Sequence, residues 1–396
     1  MRVTLEDIAG LAGVFTDGDW VESKDQDPAG DVRLIQLADV GDGVFLDKSS
    51  RYLNSTKASE LRCTYLEVGD ILIARMPDPI GRACIFPGID KPSVTVVDVC
   101  ILRPDLRKVC PRWLLHKINS QDFRNAILSW LTGTTRQRIS RGNLSKIEFI
   151  LPPLDDQRRI AAILDKADAL RRKRKRALDL LDSLTQSIFL EMFGTPAKAS
   201  ARLTTVANVS ERVQIGPFGS ILHREDYAPG GIPLINPMHI VNGIIVPSDD
   251  FAVGREKYQD LKLYHLREGD VVLGRRGEMG RCGIVTKTHH GMVCGTGSIF
   301  VRPIEKLVRP IFVRYLLSSP TAVAHFENAA SGITMANLNK KIVEDFSFFL
   351  PPIDLQRRFE KIVEHFTVQR SGVLSSENKL DSLFSSLQSC AFSGQL

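Results

Sequence analysis

The segment Leu151-Pro152-Pro153-Leu154-Asp155-Asp156-Gln157-Arg158-Arg159 returns as Leu350-Pro351-Pro352-Ile353-Asp354-Leu355-Gln356-Arg357-Arg358. Other anchors recur in the same order at nearly the same spacing. Leu66-Glu67-Val68-Gly69-Asp70-Ile71-Leu72-Ile73 reappears as Leu266-Arg267-Glu268-Gly269-Asp270-Val271-Val272-Leu273, and Arg75 falls on Arg275. Leu34-Ile35 returns as Leu234-Ile235, and Gly43-Val44-Phe45 as Gly243-Ile244-Ile245. Ordered repetition at one spacing restricts the chain to two copies of one fold in tandem. Residues between the anchors differ widely, as expected of a scaffold that presents two different recognition surfaces.

The repeat divides the 396 residues into a globular unit over 1–150, a long helix and linker over 151–198, a second globular unit over 199–350 and a final long helix over 351–396. Pro152-Pro153 and Pro351-Pro352 cannot lie inside a helix, and each forces the preceding residue into extended backbone. Asp155 and Asp354 are then placed to cap the helices that follow. Phe193-Gly194-Thr195-Pro196 ends the first helix, with a left-handed glycine and a proline that blocks continuation. Residues 197–201 read as a linker.

Both helical stretches carry apolar residues at alternating three- and four-residue steps, a heptad-like seam. The first seam is Ile160, Ile163, Ala167, Leu170, Ala177, Leu181, Leu184 and Ile188. The second is Phe359, Ile362, Phe366, Val373, Leu380, Leu383, Leu387 and Cys390. The globular units read as α/β mixtures, with β-rich runs over 68–74, 94–102 and 269–273 and helical periodicity over 113–130 and 311–328.

Net charge +6 and a pI near 8.9 lean weakly towards a polyanionic partner. The excess is shared evenly between the halves, which fits a DNA surface confined to one face or completed by other subunits. No apolar run is long enough to span a bilayer, and the first residues carry acids where a signal peptide needs an apolar core, so no membrane partner is expected. Seven cysteines without a CxxC pair imply reduced thiols and a cytoplasmic setting.

The duplicated Leu-Pro-Pro-(Leu/Ile)-Asp-x-Gln-Arg-Arg segment, the long helix after each copy and the Gly-Asp-apolar strand leading to Arg75 and Arg275 resemble the specificity subunit of type I restriction-modification systems. The resemblance covers essentially the whole chain. It implies that each globular unit is a target recognition domain reading one half of a bipartite, asymmetric DNA sequence. It also implies that the two helices pair as an antiparallel coiled coil setting the distance between half-sites. Such a subunit has no catalysis of its own. It binds two methyltransferase subunits, which methylate adenine N6 with S-adenosylmethionine, and joins restriction subunits that translocate and cut DNA.

Enzyme chemistry finds little support in the residues. Asn236-Pro237-Met238-His239 lacks the second proline and the aromatic ring of an amino-methyltransferase motif and reads as a turn. Gly216-Pro217-Phe218-Gly219 and Gly295-Thr296-Gly297 lack the strand and helix context of a nucleotide site. His289, His290 and Cys294 have no second cluster to complete a zinc site. No catalytic residue, metal or cofactor is expected. The rival readings are a coiled-coil adaptor for protein partners and a self-contained methyltransferase.

DNA readout calls for basic and amide side chains on loops and strand ends. In the first unit these are Lys48, Arg51, Lys57, Arg75, Arg136, Arg138 and Arg141. In the second they are His223, Arg224, Asn236, Arg255, Lys257, Arg275, Arg276 and Arg281. Arg75 and Arg275 rank first because they share a frame position, which also favours phosphate or scaffold duty over base choice. Gln157, Arg158, Gln356 and Arg357 are the exposed candidates for docking methyltransferase subunits. The run Arg171-Arg172-Lys173-Arg174-Lys175-Arg176 forms an electropositive band, and antiparallel pairing would set it opposite 371–375, where there are no acids.

Overall fold

The computed structural model describes residues 1–10, 13–131, 137–194, 202–330 and 337–396. Two compact units share the chain. The first takes 1–175 together with 375–396, and the second takes 176–374.

In the first unit, strands Val14–Asp17, Val99–Arg103, Ile71–Ala74 and Ala83–Ile85 form an antiparallel sheet in that order. A smaller sheet flanks Val32–Ile35 with antiparallel Tyr52–Leu53 and parallel Ser93–Thr95. Arg2–Val3 pairs with Phe149–Ile150.

The second unit repeats this plan. Ser210–Ile215, Ser298–Pro303, Val271–Gly274 and Cys282–Ile284 make the larger sheet. Ala252–Val253, Tyr227–Ile235 and Val293–Cys294 make the smaller one. Arg202–Thr205 pairs with Ser347–Leu350. The mixed α/β tandem expected from the repeat is therefore present.

Both larger sheets are covered on both faces, which explains why their central strands are continuous apolar runs. Ile71 and Ile73 pack with Trp113, Phe123 and Phe149, whereas Leu72 and Ala74 pack with Ile35, Cys84 and Phe86. Alternate side chains of a strand point to opposite faces, so one four-residue strand serves two cores. Val271 and Leu273 against Val272 repeat the division. The run 94–102 is two strands in different sheets. Its chain turns at Val96, whose carbonyl accepts from the Val99 amide at 2.9 Å, a corner that apolar periodicity does not register.

The long helices run Leu154–Phe193 and Ile353–Ser393. Two local expectations need correction. Asp155 and Asp354 lie second in their helices and pair with Arg158 and Arg357, each at 3.1 Å, rather than capping. Gly194 is not left-handed; its place is fixed by close approach to the Leu190 carbonyl, to which its amide donates at 2.7 Å. The linker 197–201 lies outside the described residues.

The apolar seams hold only in part: Ile160 and Phe359 are buried as expected, and other positions depart from the heptad. Leu170, Leu184 and Leu383 are exposed, and the deeply buried positions include Leu164, Leu178, Phe189, Val363, Phe384 and Ala391. Each helix gives one half to the core of the first unit and the other half to the core of the second, as well as packing on the other helix, and this selects a different stripe. Within the first unit the helices run antiparallel. Arg159 donates to the Leu396 carbonyl at 3.0 Å, and Arg171 to Asp381 at 2.6 Å. Within the second, Phe189 and Phe193 pack on Phe359.

Candidate nucleic-acid interface

Three duplicated anchors are internal fasteners. Gly69 and Gly269 take left-handed conformations that only glycine adopts without strain. Each turn buries the following aspartate. Asp70 accepts the Glu67 amide at 2.8 Å and a two-pronged guanidinium from Arg103 at 2.7 and 2.8 Å. Asp270 repeats this with the Arg267 amide at 2.7 Å and Arg302 at 2.8 and 2.7 Å. The planar fork matches the carboxylate and compensates the cost of burying it.

Gln157 and Gln356 are the second fastener. Both were expected on a docking surface, and both are fully buried. Gln157 Oε1 accepts the Cys110 amide at 2.8 Å, while Nε2 donates to the carbonyls of Lys108 at 3.1 Å and Pro152 at 2.9 Å. Gln356 makes the same three bonds, to the Arg309 amide and to Leu307 and Pro351. An amide is the side chain that offers one acceptor and two donors here, so glutamine recurs. Arg158 and Arg357 remain exposed.

The third fastener is Arg75 with Arg275, only 4% and 8% exposed. Arg75 reaches Asp17 at 3.2 Å and bonds the Val97 carbonyl. Arg275 bonds Asn337 Oδ1 at 2.9 Å, and burial lowers its pKa. Their guanidiniums hold loops together beneath the surface, which corrects their first rank as DNA contacts.

Other candidates divide by what already holds them. Lys57 pairs with Glu60, Lys257 with Asp226 at 3.0 Å, and Arg281 with Glu278. Asn236 closes a turn over Pro237–His239, taking the Gly297 amide on Oδ1 at 3.3 Å. Arg141 lies over the Phe15 ring and bonds the Phe15 carbonyl at 3.4 Å, and Arg138 reaches Asp98 at 3.2 Å. Arg75, Arg138 and Arg141 thus converge at one end of the larger sheet through Asp17 and Asp98. Arg136 lies outside the described residues. His223 is exposed beside the turn Arg224–Asp226. Lys48, Arg51, Arg224, Arg255 and Arg276 are exposed and carry no ion pair among the described residues.

Lys48 and Arg51 ride on a stiff loop that the sequence does not disclose. Buried Arg33 donates to Asp47 at 2.9 Å, to Ser49 Oγ at 3.2 Å and to the Arg51 carbonyl at 3.3 Å. Buried Asp39 takes the Ser49 amide and hydroxyl. The loop is pinned from below while its cations face solvent. In the second unit Phe251 stands where Arg51 does: the Leu34 amide donates to Arg51, and the Leu234 amide to Phe251. The frame is shared and the exposed chemistry is not.

The basic run is partly neutralised. Arg171 pairs with Asp381, correcting the expectation of no facing acid, and Arg172 pairs with Asp168 at 2.6 Å. Lys173, Arg174, Lys175 and Arg176 stay exposed without an ion pair among the described residues. Cys294 is buried, which pushes its thiol pKa far up, away from a metal-binding thiolate. Among the described residues no helix is long and apolar enough to cross a membrane.

Comparison with known proteins matches this architecture. The family model described as the type I restriction modification DNA specificity domain matches residues 3–180 and 214–371. The EcoBI specificity subunit of Escherichia coli, a type I restriction enzyme component, is 22% identical over all of this chain and 86% of its own length. A solved chain from work on assembly and conformational transition of the type I R-M system superposes with a TM-score of 0.56 at 17% identity, covering 100% of this chain and 98% of that one. The type I S subunit from M. genitalium gives 0.52 at 15%, covering 99% and 96%. These likenesses establish the fold, and the two family matches span most of the sequence. The chain belongs to the type I restriction-modification DNA specificity family, a family of recognition components rather than catalysts.

Proposed function

We propose that this chain is the DNA sequence-specificity subunit of a type I restriction-modification complex. Each unit reads one half of a bipartite, asymmetric target, and the long helices pair as an antiparallel coiled coil that fixes the spacer. The chain directs two methyltransferase subunits to adenine N6, and it joins restriction subunits that translocate and cut DNA. The observation that carries the reading is the contrast between fasteners and surface. Gln157 and Gln356, Asp70 and Asp270, and Arg103 and Arg302 make matching bonds. At the same frame, Arg51 is replaced by Phe251. One scaffold carrying two unlike faces suits two unlike half-sites. Antiparallel contacts within the first unit support the coiled coil, as do the exposed Arg158 and Arg357 for docking.

The direct test is single-molecule sequencing for N6-methyladenine in hosts with and without this gene, each supplied with its methyltransferase. Methylation of one split, asymmetric motif that disappears with the gene is expected. Unchanged methylation in the presence of active methyltransferase would overturn the reading.

A further inference from the structure

Two exposed aromatic rings recur at one place in the frame. Strand Val14–Asp17 is followed by Gly18, whose amide donates to the Val99 carbonyl at 2.9 Å and whose Cα leaves no room for a side chain against Val96. Strand Ser210–Ile215 is followed by Gly216, whose amide donates to Ser298 at 2.9 Å and which packs as closely on Gly295. Two residues on, the chain presents Trp20 at 67% exposure and Phe218 at 55%. The flanks are unrelated: Asp19 and Val21 in one unit, Pro217 and Gly219 in the other. The aromatic ring is what both copies keep.

Neither ring belongs to a core cluster. The backbone beneath Trp20 is fixed, with the Asp19 amide bonded to Thr95 at 2.8 Å and the Asp19 carboxylate accepting the Thr64 amide at 3.0 Å. Trp20 donates its indole N–H to Glu22 at 3.3 Å and rims an open hollow with Gln26, Gln36 and Asp98, where Lys24 pairs with Glu22 at 2.8 Å and Arg138 with Asp98 at 3.2 Å. Phe218 lies 5.9 Å from the Arg275 guanidinium, with exposed Arg276 next in sequence. A lone exposed aromatic is ordinary. Two at one frame position, each beside cationic or amide groups, are the combination that apolar base contact with phosphate support requires.

We propose that Trp20 and Phe218 are the apolar base contacts of the two recognition domains, one in each half-site. Each ring lies on a thymine methyl or on the face of an unstacked base, while Gln26 and Gln36 beside Trp20 and Arg276 beside Phe218 meet the flanking backbone. This rests on the DNA-specificity reading above.

The test uses the full chain co-expressed with its methyltransferase, and duplexes carrying either the methylated motif or scrambled half-sites. Trp20→Ala and Phe218→Ala should each weaken binding to the motif by about tenfold or more. Binding to the scrambled duplex and the salt slope should not change, because the rings are uncharged. Trp20→Phe should recover most of the loss, and hydrogen exchange should report an unaltered fold. Uracil in place of thymine separates the two contacts: a matching loss identifies the methyl, and no loss identifies the base face. Binding by both alanine variants within about twofold of wild type would overturn the assignment alone. A wild-type complex that fails to discriminate the two duplexes would overturn the specificity reading, and this inference with it.

Discussion

Replacing Gln157 by leucine keeps the side-chain volume and removes every hydrogen bond it makes. Three partly buried backbone groups then lose their partner: the Cys110 amide and the carbonyls of Lys108 and Pro152. Each orphaned group costs about 1–3 kcal/mol, and the added apolar burial of leucine returns about 1.5 kcal/mol. The net loss should lie between about 1.5 and 7.5 kcal/mol and centre near about 4.5 kcal/mol, a large part of the stability of an ordinary domain. Guanidinium titration followed by hydrogen exchange would localise it. Exchange around 108–112 should accelerate by a factor of about 100 or more, with the second unit unaffected. Gln356→Leu should produce the mirror image. Gln157→Glu is a sharper probe, because it keeps the acceptor but turns a carboxylate towards two carbonyls; it should be worse at neutral pH and partly recover as the acid protonates. A Gln157→Leu protein within about 0.5 kcal/mol of wild type, with Cys110 exchange unchanged, would refute the idea that this residue is a fastener.

Asp270→Ala leaves the Arg302 guanidinium buried without its carboxylate and should cost the second unit about 3–5 kcal/mol; a loss below about 1 kcal/mol in denaturant titration would argue against a buried pair. Neutralising Lys173, Lys175 and Arg176 to glutamine should reduce the salt slope of DNA binding by about 0.9 for each phosphate that no longer meets a cation. An unchanged slope in log–log titration would show that the band does not touch DNA. Burial lowers the His116 pKa from its ordinary 6.5, against the opposing pull of Asp165 and Asp168 and with Arg112 adding to the lowering. A depressed histidine pKa means that the folded form resists protonation. Its contribution is therefore complete above 6.5 and drains away as pH falls from there through the folded value. First-unit stability should decline in that window, and His116→Gln should flatten the decline in titrations across pH.

The repeat is legible because its anchors are short-range signals. The proline pairs and the apolar run beyond them locate both long helices to within a residue or two of where they begin. Burial is less legible. Gln157 stands among Asp155, Asp156, Arg158 and Arg159, a sequence that reads as surface; it is covered by residues 108–110, which no local pattern connects to it. Arg75 and Arg275 mislead for the same reason, since basic residues after a strand look exposed until the loop that caps them is seen. Arg103 and Arg302 carry a usable signal, because each precedes a proline and follows an apolar pair. The burial departs from the seam at Leu164 because a heptad pattern describes one neighbour, whereas Leu164 also faces the core around Trp113. Trp20 and Phe218 are hidden in the sequence because only the glycine two residues before each ring is shared and their spacing departs from that of the anchors.

The division of the chain between the units sets an order of assembly. The second unit is one continuous stretch, 176–374, whereas the first is completed by 375–396. On the ribosome, everything the second unit needs is synthesised before the segment carrying Phe384 and Ala391, which closes the first unit around Ile160 and Leu164. The half made first is thus the half finished last. Until 375–396 has emerged, its apolar helix face has no cover, and closing it brings together residues more than 200 positions apart, as Arg171 and Asp381 are. A nascent chain of this design depends on the delay between its two halves being short, or on a chaperone that occupies the open face meanwhile.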